Sequence, residues 1–466
     1  MEQKNKLTGM EKFAYGIGAV GKDMVYMLSA GYILYYYQDV CGVSAWAMGI
    51  ILFAARIFDA FNDPIMGVLV AKTKTKWGKF RPWLMIGTIL NAIVLYLMFS
   101  APPALDGGGL VAYAAVTYIL WGVTYTMMDI PYWSMVPAFT EGGKEREGLS
   151  ALARSCAGVG SAIITIITVK SVSSLGRAFA SAGTDSERVG YQCFALLIAI
   201  LFVVFTTITC TVIKEKSSVD METVSIKDMF KALVQNDQAM TMVIAIVLIN
   251  SALYTTSNLV IYFFKYDFSP AAWENNYTIF NTFGGAFQIL AMMLLFPLFR
   301  RFINTIRIFY VSFFMALGGY LVFLLIASVG NDQIALLLIP AFLIMSALGL
   351  LNVITTIFLA NSVDYGEWKN GRRDESVIFS MQTFVVKLAS GVAALLATIV
   401  LTIFHISKDE TVNAMIGESS RMGLRLSMTI IPIVVLLLGL IVFKKHYTLT
   451  DEKLASINRE IQERRG

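Results

Sequence analysis

Long runs of apolar residues recur along the whole 466-residue chain and alternate with short polar segments. A run of about 20 apolar residues is long enough to cross the hydrocarbon core of a bilayer as a helix. We predict twelve such helices, near residues 12–37, 44–70, 82–101, 110–137, 149–170, 190–213, 239–264, 276–299, 308–328, 334–360, 377–404 and 423–443. The pattern therefore predicts an all-α membrane protein with twelve transmembrane helices.

The longest polar interruption between two predicted helices falls after the sixth. It divides the chain into two six-helix bundles at 1–213 and 239–443, joined by a middle loop at 214–238 and followed by a charged tail at 444–466. Two similar bundles around a midplane site are the arrangement of major-facilitator transporters. We expect that fold.

Lysine and arginine are concentrated in alternate loops, which sets the expected orientation. The loops at 102–109, 266–275 and 329–333 contain neither residue. The basic group comprises Lys72, Lys74, Lys76, Lys79, Arg81, Arg300, Arg301, Arg307, Lys369, Arg372, Arg373 and the tail from Lys444 onward. The positive-inside rule then predicts a multi-pass protein of the cell membrane with both termini in the cytoplasm.

The composition agrees with a membrane protein and excludes an ordinary soluble domain. The chain is 57% hydrophobic and 15% charged, with a formal net charge of +5. Because the basic residues lie in the loops, the expected partner is the lipid bilayer, and no nucleic-acid partner is expected. The four cysteines lack metal or disulfide spacing, and we interpret them as apolar packing residues.

Eight ionisable residues interrupt the apolar runs, and their formal charges cancel. They are Lys22, Asp23, Arg56, Asp59, Asp63, Asp129, Arg154 and Lys387. A charge at the centre of a bilayer costs about 2.5–3.5 kcal/mol even on the most lenient scale, so such residues face a partner or a wet cavity. The pattern predicts a polar pocket that handles a solute or an ion.

A glycine-rich segment in the first helix matches two nucleotide-binding patterns and satisfies neither. Residues 16–23 read G-I-G-A-V-G-K-D, but no strand precedes them, and Asp23 stands where a P-loop needs Ser or Thr. We interpret the glycines as helix-packing residues and predict no cofactor.

The second helix carries a candidate cation or proton site. Arg56, Asp59 and Asp63 are three and four residues apart and therefore share one face, with the amide of Asn62 beside them. Two close carboxylates repel unless a cation lies between them or one is protonated. The alternative is a structural Arg56–Asp59 ion pair, which leaves Asp63 unexplained.

The fourth helix carries a candidate sugar site. Tyr125, Asp129 and Trp133 are spaced by four residues, so an aromatic ring, a carboxylate and an indole lie on one face. A carboxylate accepts sugar hydroxyls, and an indole packs on the apolar face of a pyranose. The alternative is aromatic packing with a charge pair from Asp129 to Lys22 or Arg154.

The eleventh helix adds Gln382, Thr383 and Lys387, polar groups from the second half of the chain. They are either part of the substrate site or, for the lysine, a structural ion pair between helices.

Five segments together resemble the glycoside–pentoside–hexuronide:cation symporters of the major facilitator superfamily, especially the melibiose carriers. They are G-A-V-G-K-D at 18–23, R-I-F-D-A-F-N-D-P at 56–64, W-G-K-F-R-P-W at 77–83, D-I-P-Y-W at 129–133 and V-D-Y-G-E at 363–367. The resemblance runs from the first helix to the eleventh.

The resemblance implies symport of a sugar with Na⁺, H⁺ or Li⁺ by alternating access in a functional monomer. It implies that the cation is bound by Asp59, Asp63, Asn62 and Thr126, with the two aspartates as its charged ligands. It places the sugar at Lys22, Asp23, Tyr125, Asp129, Trp133, Arg154, Gln382, Thr383 and Lys387. The presence of Asp129 favours a melibiose-like galactoside over a glucuronide, and other glycosides such as xylosides stay open.

Two other classes fit the sequence less well. A cation-exchanging exporter of amphipathic compounds would have a mainly apolar cavity, unlike this group of charges. A membrane enzyme would need catalytic residues, and His405 and His446 are far apart in the sequence. We therefore expect a transporter with no catalytic residue.

Overall fold

The computed structural model describes residues 7–139, 143–214, 231, 233–330, 333–371, 375–406 and 417–465. Regular structure in these residues is helical, apart from an isolated β-bridge between Thr75 and Gly78. The helices of the first half are α1 (Gly9–Tyr35), α2 (Ala45–Lys72), α3 (Arg81–Met98), α4 (Gly107–Phe139), α5 (Gly143–Phe179) and α6 (Ser186–Val212). Those of the second half are α7 (Asp237–Phe263), α8 (Trp273–Leu290, continued by a π-helical turn and a short α-helical segment to Arg300), α9 (Thr305–Ser328), α10 (Ile334–Asn370), α11 (Glu375–Ile403), α12 (Glu418–His446) and the tail helix α13 (Asp451–Arg465).

Polar residues at the helix ends set where several of these helices begin. Thr8 and Glu11 form a reciprocal capping box at the start of α1, and Asp185 and Asn236 accept backbone N–H groups at the starts of α6 and α7. Such caps satisfy N–H groups that have no partner within the helix. At the end of α10, Gly371 adopts the left-handed conformation (φ 68°) that terminates helices.

Eleven of the described helical segments are long and apolar enough to cross a membrane by length and composition. Helix α1 is the long helix of the first half that does not meet that criterion, although it was predicted as a span. Its 27 residues include Lys22 and Asp23 together with several glycines, which lower its mean hydropathy. The charged residues that indicate a functional site therefore also lower the mean hydropathy by which α1 would be recognised as a membrane span.

The described helices form two compact units, α1–α6 and α7–α13. In unit 1, α1 packs against α5 and α6, α3 packs against α4 and α6, and α2 packs against α4. In unit 2 the same pairs recur six helices later: α7 with α11 and α12, α9 with α10 and α12, and α8 with α10. The chain thus repeats one packing plan.

The helices extend beyond the apolar runs that predicted them. Helix α10 continues to Asn370, ten residues past the expected end at 360, and α5 spans Gly143–Phe179 against an expected 149–170. A backbone helix continues through polar residues until a cap or a glycine stops it, whereas a hydropathy pattern ends where the lipid ends. Most of the predicted middle loop lies outside the described residues, and α7 already begins inside it, at Asp237.

Candidate functional site

Lys22 lies at the centre of a charged cluster between α1 and α4, which we call the lysine cluster (Lys22, Asp23, Tyr125 and Asp129). Its Nζ is 2.8 Å from Asp129 Oδ1 and 3.2 Å from Asp23 Oδ2, and it donates to the Tyr125 hydroxyl at 3.1 Å. One donor of the ammonium thus goes to Tyr125, and the two carboxylates balance its charge as ion pairs. The lysine side chain is 6% exposed, so these partners replace water around the charge.

Asp129 keeps capacity for a further ligand. Both its ion pair with Lys22 and its hydrogen bond from Trp133 Nε1, at 3.1 Å, involve Oδ1. No hydrogen-bond partner of Oδ2 occurs among the residues that the structure describes, and the side chain is 20% exposed. This oxygen is therefore open to a donor such as a hydroxyl group.

Trp133 is held between two cations and a carboxylate. The guanidinium carbon of Arg154, on α5, lies 5.3 Å from the indole ring centre, and Lys22 Nζ lies 5.2 Å from it. Cations are attracted to the face of an indole ring. With Arg154 included, the formal charges around the lysine cluster sum to zero: two cations against Asp23 and Asp129.

A pair of tyrosines fixes α1 against α4 beside the lysine cluster. Tyr15 donates to the Tyr132 carbonyl at 2.6 Å, and Tyr132 donates to the Tyr15 carbonyl at 2.7 Å. The two rings stack with centres 4.4 Å apart and planes 5° apart. This double contact sets the separation of the two helices that carry Lys22 and Asp129.

The second charged cluster lies between α2 and α4 and consists of Arg56, Asp59, Asp63 and Thr126; we call it the paired-aspartate cluster. Arg56 forms an ion pair with Asp59 at 3.1 Å, and both side chains are 6% exposed. Thr126 donates to Asp63 Oδ1 at 2.9 Å. The Arg56–Asp59 ion pair, which the sequence offered as the alternative to a cation site, is present, and Asp63 receives a hydroxyl donor from α4.

Gly122 allows α4 to approach this cluster closely. A Cβ atom at position 122 would lie 2.9 Å from Asp59 Oδ1. Asp59 and Asp63 are four residues apart on α2, as are Gly122 and Thr126 on α4, so each carboxylate faces one residue of α4. Asn62 is buried beside them, and its Nδ2 has no hydrogen-bond partner among the described residues.

The paired-aspartate cluster provides a mixed set of oxygen atoms. No group of three or more His, Cys, Asp or Glu side chains placed to hold a metal occurs in the described part of the chain. A cation at Asp59 and Asp63 would therefore also need hydroxyl or amide oxygens, which Thr126 and Asn62 carry.

Helix α4 contributes to both clusters through adjacent residues. The Tyr125 side chain contacts Lys22, and the next residue, Thr126, contacts Asp63. A rigid-body movement of α4 would displace both contacts together.

The predicted site residues of unit 1 fall into these two clusters and their immediate surroundings. Lys387 lies on α11 in unit 2 and is partly buried. The side chains of Gln382 and Thr383 lie outside the described residues, so the site contributions of all three α11 residues stay predictions.

Sequence reasoning missed four residues next to the clusters: Tyr15, Tyr26, Trp121 and Gly122. Trp121 and Gly122 precede Tyr125 by about one turn of α4. Trp121 is four residues before Tyr125, so the same spacing that groups Tyr125, Asp129 and Trp133 also includes the tryptophan. No sequence signal distinguishes Gly122 from the other helix glycines, because its role depends on which residue lies opposite.

Residues 14–451 match the family model described as MFS/sugar transport protein. The chain belongs to this family, whose members are multi-pass membrane transporters and not enzymes.

Several curated proteins are similar to this chain over most of its length. A lactose permease of Lactobacillus delbrueckii subsp. bulgaricus is 28% identical, covering 99% of this chain and 74% of that protein. A putative glycoside/cation symporter, YagG, of Escherichia coli is 27% identical over 99% of this chain and 96% of its own length. An isoprimeverose transporter of Lactiplantibacillus pentosus is 28% identical over 86% of this chain and 81% of its own.

Solved structures share the fold at low sequence identity. A bacterial homologue of the lysosomal transporter Spinster superposes with a TM-score of 0.64 at 11% identity, covering 96% of this chain and 97% of that one. A structure described for proton-dependent oligopeptide transporters gives 0.65 at 10% identity, covering 97% and 99%. The all-helical transporter fold predicted from the sequence is confirmed.

Proposed function

We propose that this protein is a symporter that couples the influx of one monovalent cation, Na⁺ in the first instance, to the uptake of a sugar or glycoside. Both termini would lie in the cytoplasm, and the monomer would be the working unit. The paired-aspartate cluster would bind the cation and the lysine cluster the sugar.

The observation that carries this proposal is the set of polar groups in the two clusters. The paired-aspartate cluster brings two carboxylates, a hydroxyl and an amide close together on α2 and α4, which suits a single monovalent cation. The lysine cluster with Arg154 is neutral and keeps an open carboxylate oxygen and a polar indole, which suits an uncharged polyol.

The relatives support the substrate class. They are named for lactose, raffinose, isoprimeverose and glycosides. Lactose and raffinose both contain a galactosyl unit, so a melibiose-like galactoside is the substrate that we propose first. Gln382, Thr383 and Lys387 of α11 belong to the proposed sugar-binding residues.

Coupling between sugar and cation would use α4. Thermodynamic linkage requires that each ligand raise the affinity for the other by the same factor. Tyr125 and Thr126 are neighbours on one helix and contact different clusters, so a sugar that shifts Tyr125 also shifts the hydroxyl on Asp63.

Uptake into proteoliposomes tests the proposal. Radiolabelled melibiose, lactose, raffinose and isoprimeverose are each offered with an inward gradient of NaCl, of LiCl or of protons, and with choline chloride as the control. We expect accumulation of a galactoside above the external concentration only with a coupling gradient. Equal uptake in choline at equal pH would contradict cation coupling, and export of preloaded amphipathic dyes without sugar uptake would favour an exporter.

A further inference from the structure

Three aromatic rings of α4 form a continuous stack that runs from one charged cluster to the other. Tyr118 and Trp121 have ring centres 5.8 Å apart with planes at 16°, and Trp121 and Tyr125 have centres 5.1 Å apart with planes at 25°. The residues are spaced by three and four, so one face of the helix holds all three rings. We call Tyr118, Trp121 and Tyr125 the α4 ring stack.

A cation from a different cluster lies at each end of the α4 ring stack. The guanidinium carbon of Arg56 is 5.9 Å from the Tyr118 ring centre, and Lys22 Nζ is 5.5 Å from the Tyr125 ring centre. Arg56 is the partner of Asp59, and Lys22 is the partner of Asp129. The stack therefore connects the two basic side chains that balance the two clusters.

Tyr26 of α1 joins the same stack from the side. Its ring centre lies 5.5 Å from that of Tyr125 and 6.3 Å from that of Trp121. Tyr26 is four residues after Lys22, so both lie on the face of α1 that meets α4. Displacement of α1 would act on the stack at two points.

Trp121 is the central ring and contributes no polar group to either cluster. The side chain is 1% exposed, and no acceptor for its indole N–H occurs among the residues that the structure describes. A buried indole without an acceptor is unfavourable, since buried polar groups are normally paired. A smaller apolar side chain would avoid that cost, so packing alone does not account for a tryptophan here.

We propose that Trp121 is a positioning residue that transmits the coupling between the sugar and the cation through the α4 ring stack. Movement of Lys22 when a sugar binds Asp129 displaces Tyr125, and the packed rings pass this displacement through Trp121 to Tyr118 and Arg56. A shift of Arg56 changes how strongly it competes with the cation for Asp59. This inference rests on the proposed function and adds a residue that contacts neither ligand.

The α4 ring stack is a route distinct from the Tyr125–Thr126 backbone connection. Substitution of Trp121 interrupts the stack and leaves both Tyr125 and Thr126 in place. Coupling that survives the substitution would therefore be carried by the backbone connection alone. Substitution of Trp121 thus distinguishes the two routes.

Calorimetric titration of melibiose into purified protein in lipid nanodiscs tests this inference. The measured quantity is the coupling factor, the melibiose Kd in choline chloride divided by that in NaCl. Coupling factors of about 5–150 are typical of linked sites. We expect Trp121→Leu to reduce the factor to below about 2, while the Kd of melibiose in choline changes by less than about threefold, since no sugar contact is lost.

Two further variants make the test independent of the folding of Trp121→Leu. Trp121→Phe keeps a ring in the stack and should retain a factor within about threefold of wild type, whereas Tyr118→Leu removes the ring next to Arg56 and should lose coupling as Trp121→Leu does. Phe99→Leu is the matched control, because Phe99 is a buried ring stacked at 5.7 Å on Tyr191, outside both clusters. It should leave the factor unchanged.

The outcomes separate this inference from the proposed function. A wild-type factor of 1 with every cation would overturn both. A wild-type factor above 5 that is kept in Trp121→Leu, or lost equally in Trp121→Phe and Phe99→Leu, would overturn the role of Trp121 and leave symport standing.

Discussion

The two units share a packing plan but differ in where they place their charges. In unit 1, Lys22, Arg56 and Asp59 are buried in the interior of α1 and α2. In unit 2, Lys387 lies in the interior of α11, while a described ion pair joins helix ends: Lys369 at the end of α10 contacts Asp237 at the start of α7. The same packing plan thus occurs with a different placement of ion pairs, which points to a role beyond folding for the buried pairs of unit 1.

The second ion pair of unit 2 shows what a structural pair looks like in this molecule. Arg425 donates from Nε to Asp267 Oδ2 at 2.7 Å and from a terminal nitrogen to Oδ1 at 2.6 Å, and it contacts Glu418 at 3.2 Å. This fork geometry satisfies both oxygens of Asp267. Asp129, in contrast, keeps one oxygen open.

The segments that follow α1 and α7 have the same local structure. Each helix is followed by a five-residue π-helical turn, Tyr36–Val40 and Phe264–Phe268, with a buried aspartate as its fourth residue. Asp39 and Asp267 thus occupy the same position in the two units. Helix pairing and turn geometry are repeated, whereas the described ion pairs lie at different places in the two units.

The largest effect is expected from the carboxylates of unit 1. Asp59→Cys or Asp63→Cys should abolish sodium-stimulated uptake, because each removes one of two anionic ligands. Sodium stimulation is measured in proteoliposomes, together with sodium-independent sugar exchange, which should survive because the proposed sugar-binding residues lie on helices other than α2. Wild-type stimulation in either variant would contradict the cation assignment.

The next effect is expected at the open carboxylate of the lysine cluster. Asp129→Asn should weaken sugar binding by about tenfold or more, because hydrogen bonds to a charged group are worth about 1.5–3 kcal/mol against about 0.5–1.5 for a neutral one. Calorimetry gives the sugar Kd, and the sodium Kd of the same variant is the internal control. An unchanged sugar Kd in the folded variant would make Asp129 a structural partner of Lys22.

A smaller effect is expected where α4 meets Asp59. Gly122→Ala places a methyl group 2.9 Å from Asp59 Oδ1, so the carboxylate or α4 must shift. Overpacking costs about 1–3 kcal/mol, and if about 1.4 kcal/mol of this cost falls on the site, sodium affinity decreases about tenfold. Gly158→Ala is the matched control, since nothing lies within 4 Å of a Cβ there. Equal sodium affinities in the two variants would show that Asp59 adjusts freely.

The smallest effect on coupling is expected from the Asp267–Arg425 ion pair of unit 2. Asp267→Asn should leave the ratio of uptake with and without sodium unchanged and should lower the thermal unfolding midpoint, because breaking a buried pair costs about 3–5 kcal/mol. Asp451→Asn is the control for stability. Its contact with Arg300 is 3.9 Å long with half-exposed side chains, and such surface pairs contribute about 0–1 kcal/mol. A lost sodium response in Asp267→Asn would remove the contrast between the units.

Much of the fold and part of the site could be predicted from the sequence. Apolar run lengths predict the long helices, and the spacing of Arg56, Asp59 and Asp63 places them on one face of α2 because helix periodicity is local. The alternatives for Asp129 could not be resolved, since contacts between helices depend on how each helix rotates about its axis. The structure pairs Asp129 with Lys22 and sets Arg154 over Trp133.

The role of Gly122 could not be predicted from the sequence. A glycine in a membrane helix is usually read as a packing residue, and the sequence gives no reason to place it opposite Asp59. Only the register of α2 against α4 assigns it to the paired-aspartate cluster, and register is fixed by all the contacts of the two helices together.

The surroundings of Trp133 give this protein a built-in optical reporter. Indole emission responds to nearby charge and to hydrogen bonding of the ring nitrogen, and this ring has Arg154 and Lys22 close to its centre and donates to Asp129. A sugar that engages Asp129 would change the electric field at this chromophore, which is one of the seven tryptophans of the chain. The difference in fluorescence between wild type and Trp133→Phe would then follow sugar binding in an unlabelled protein, in real time and in either direction across the membrane.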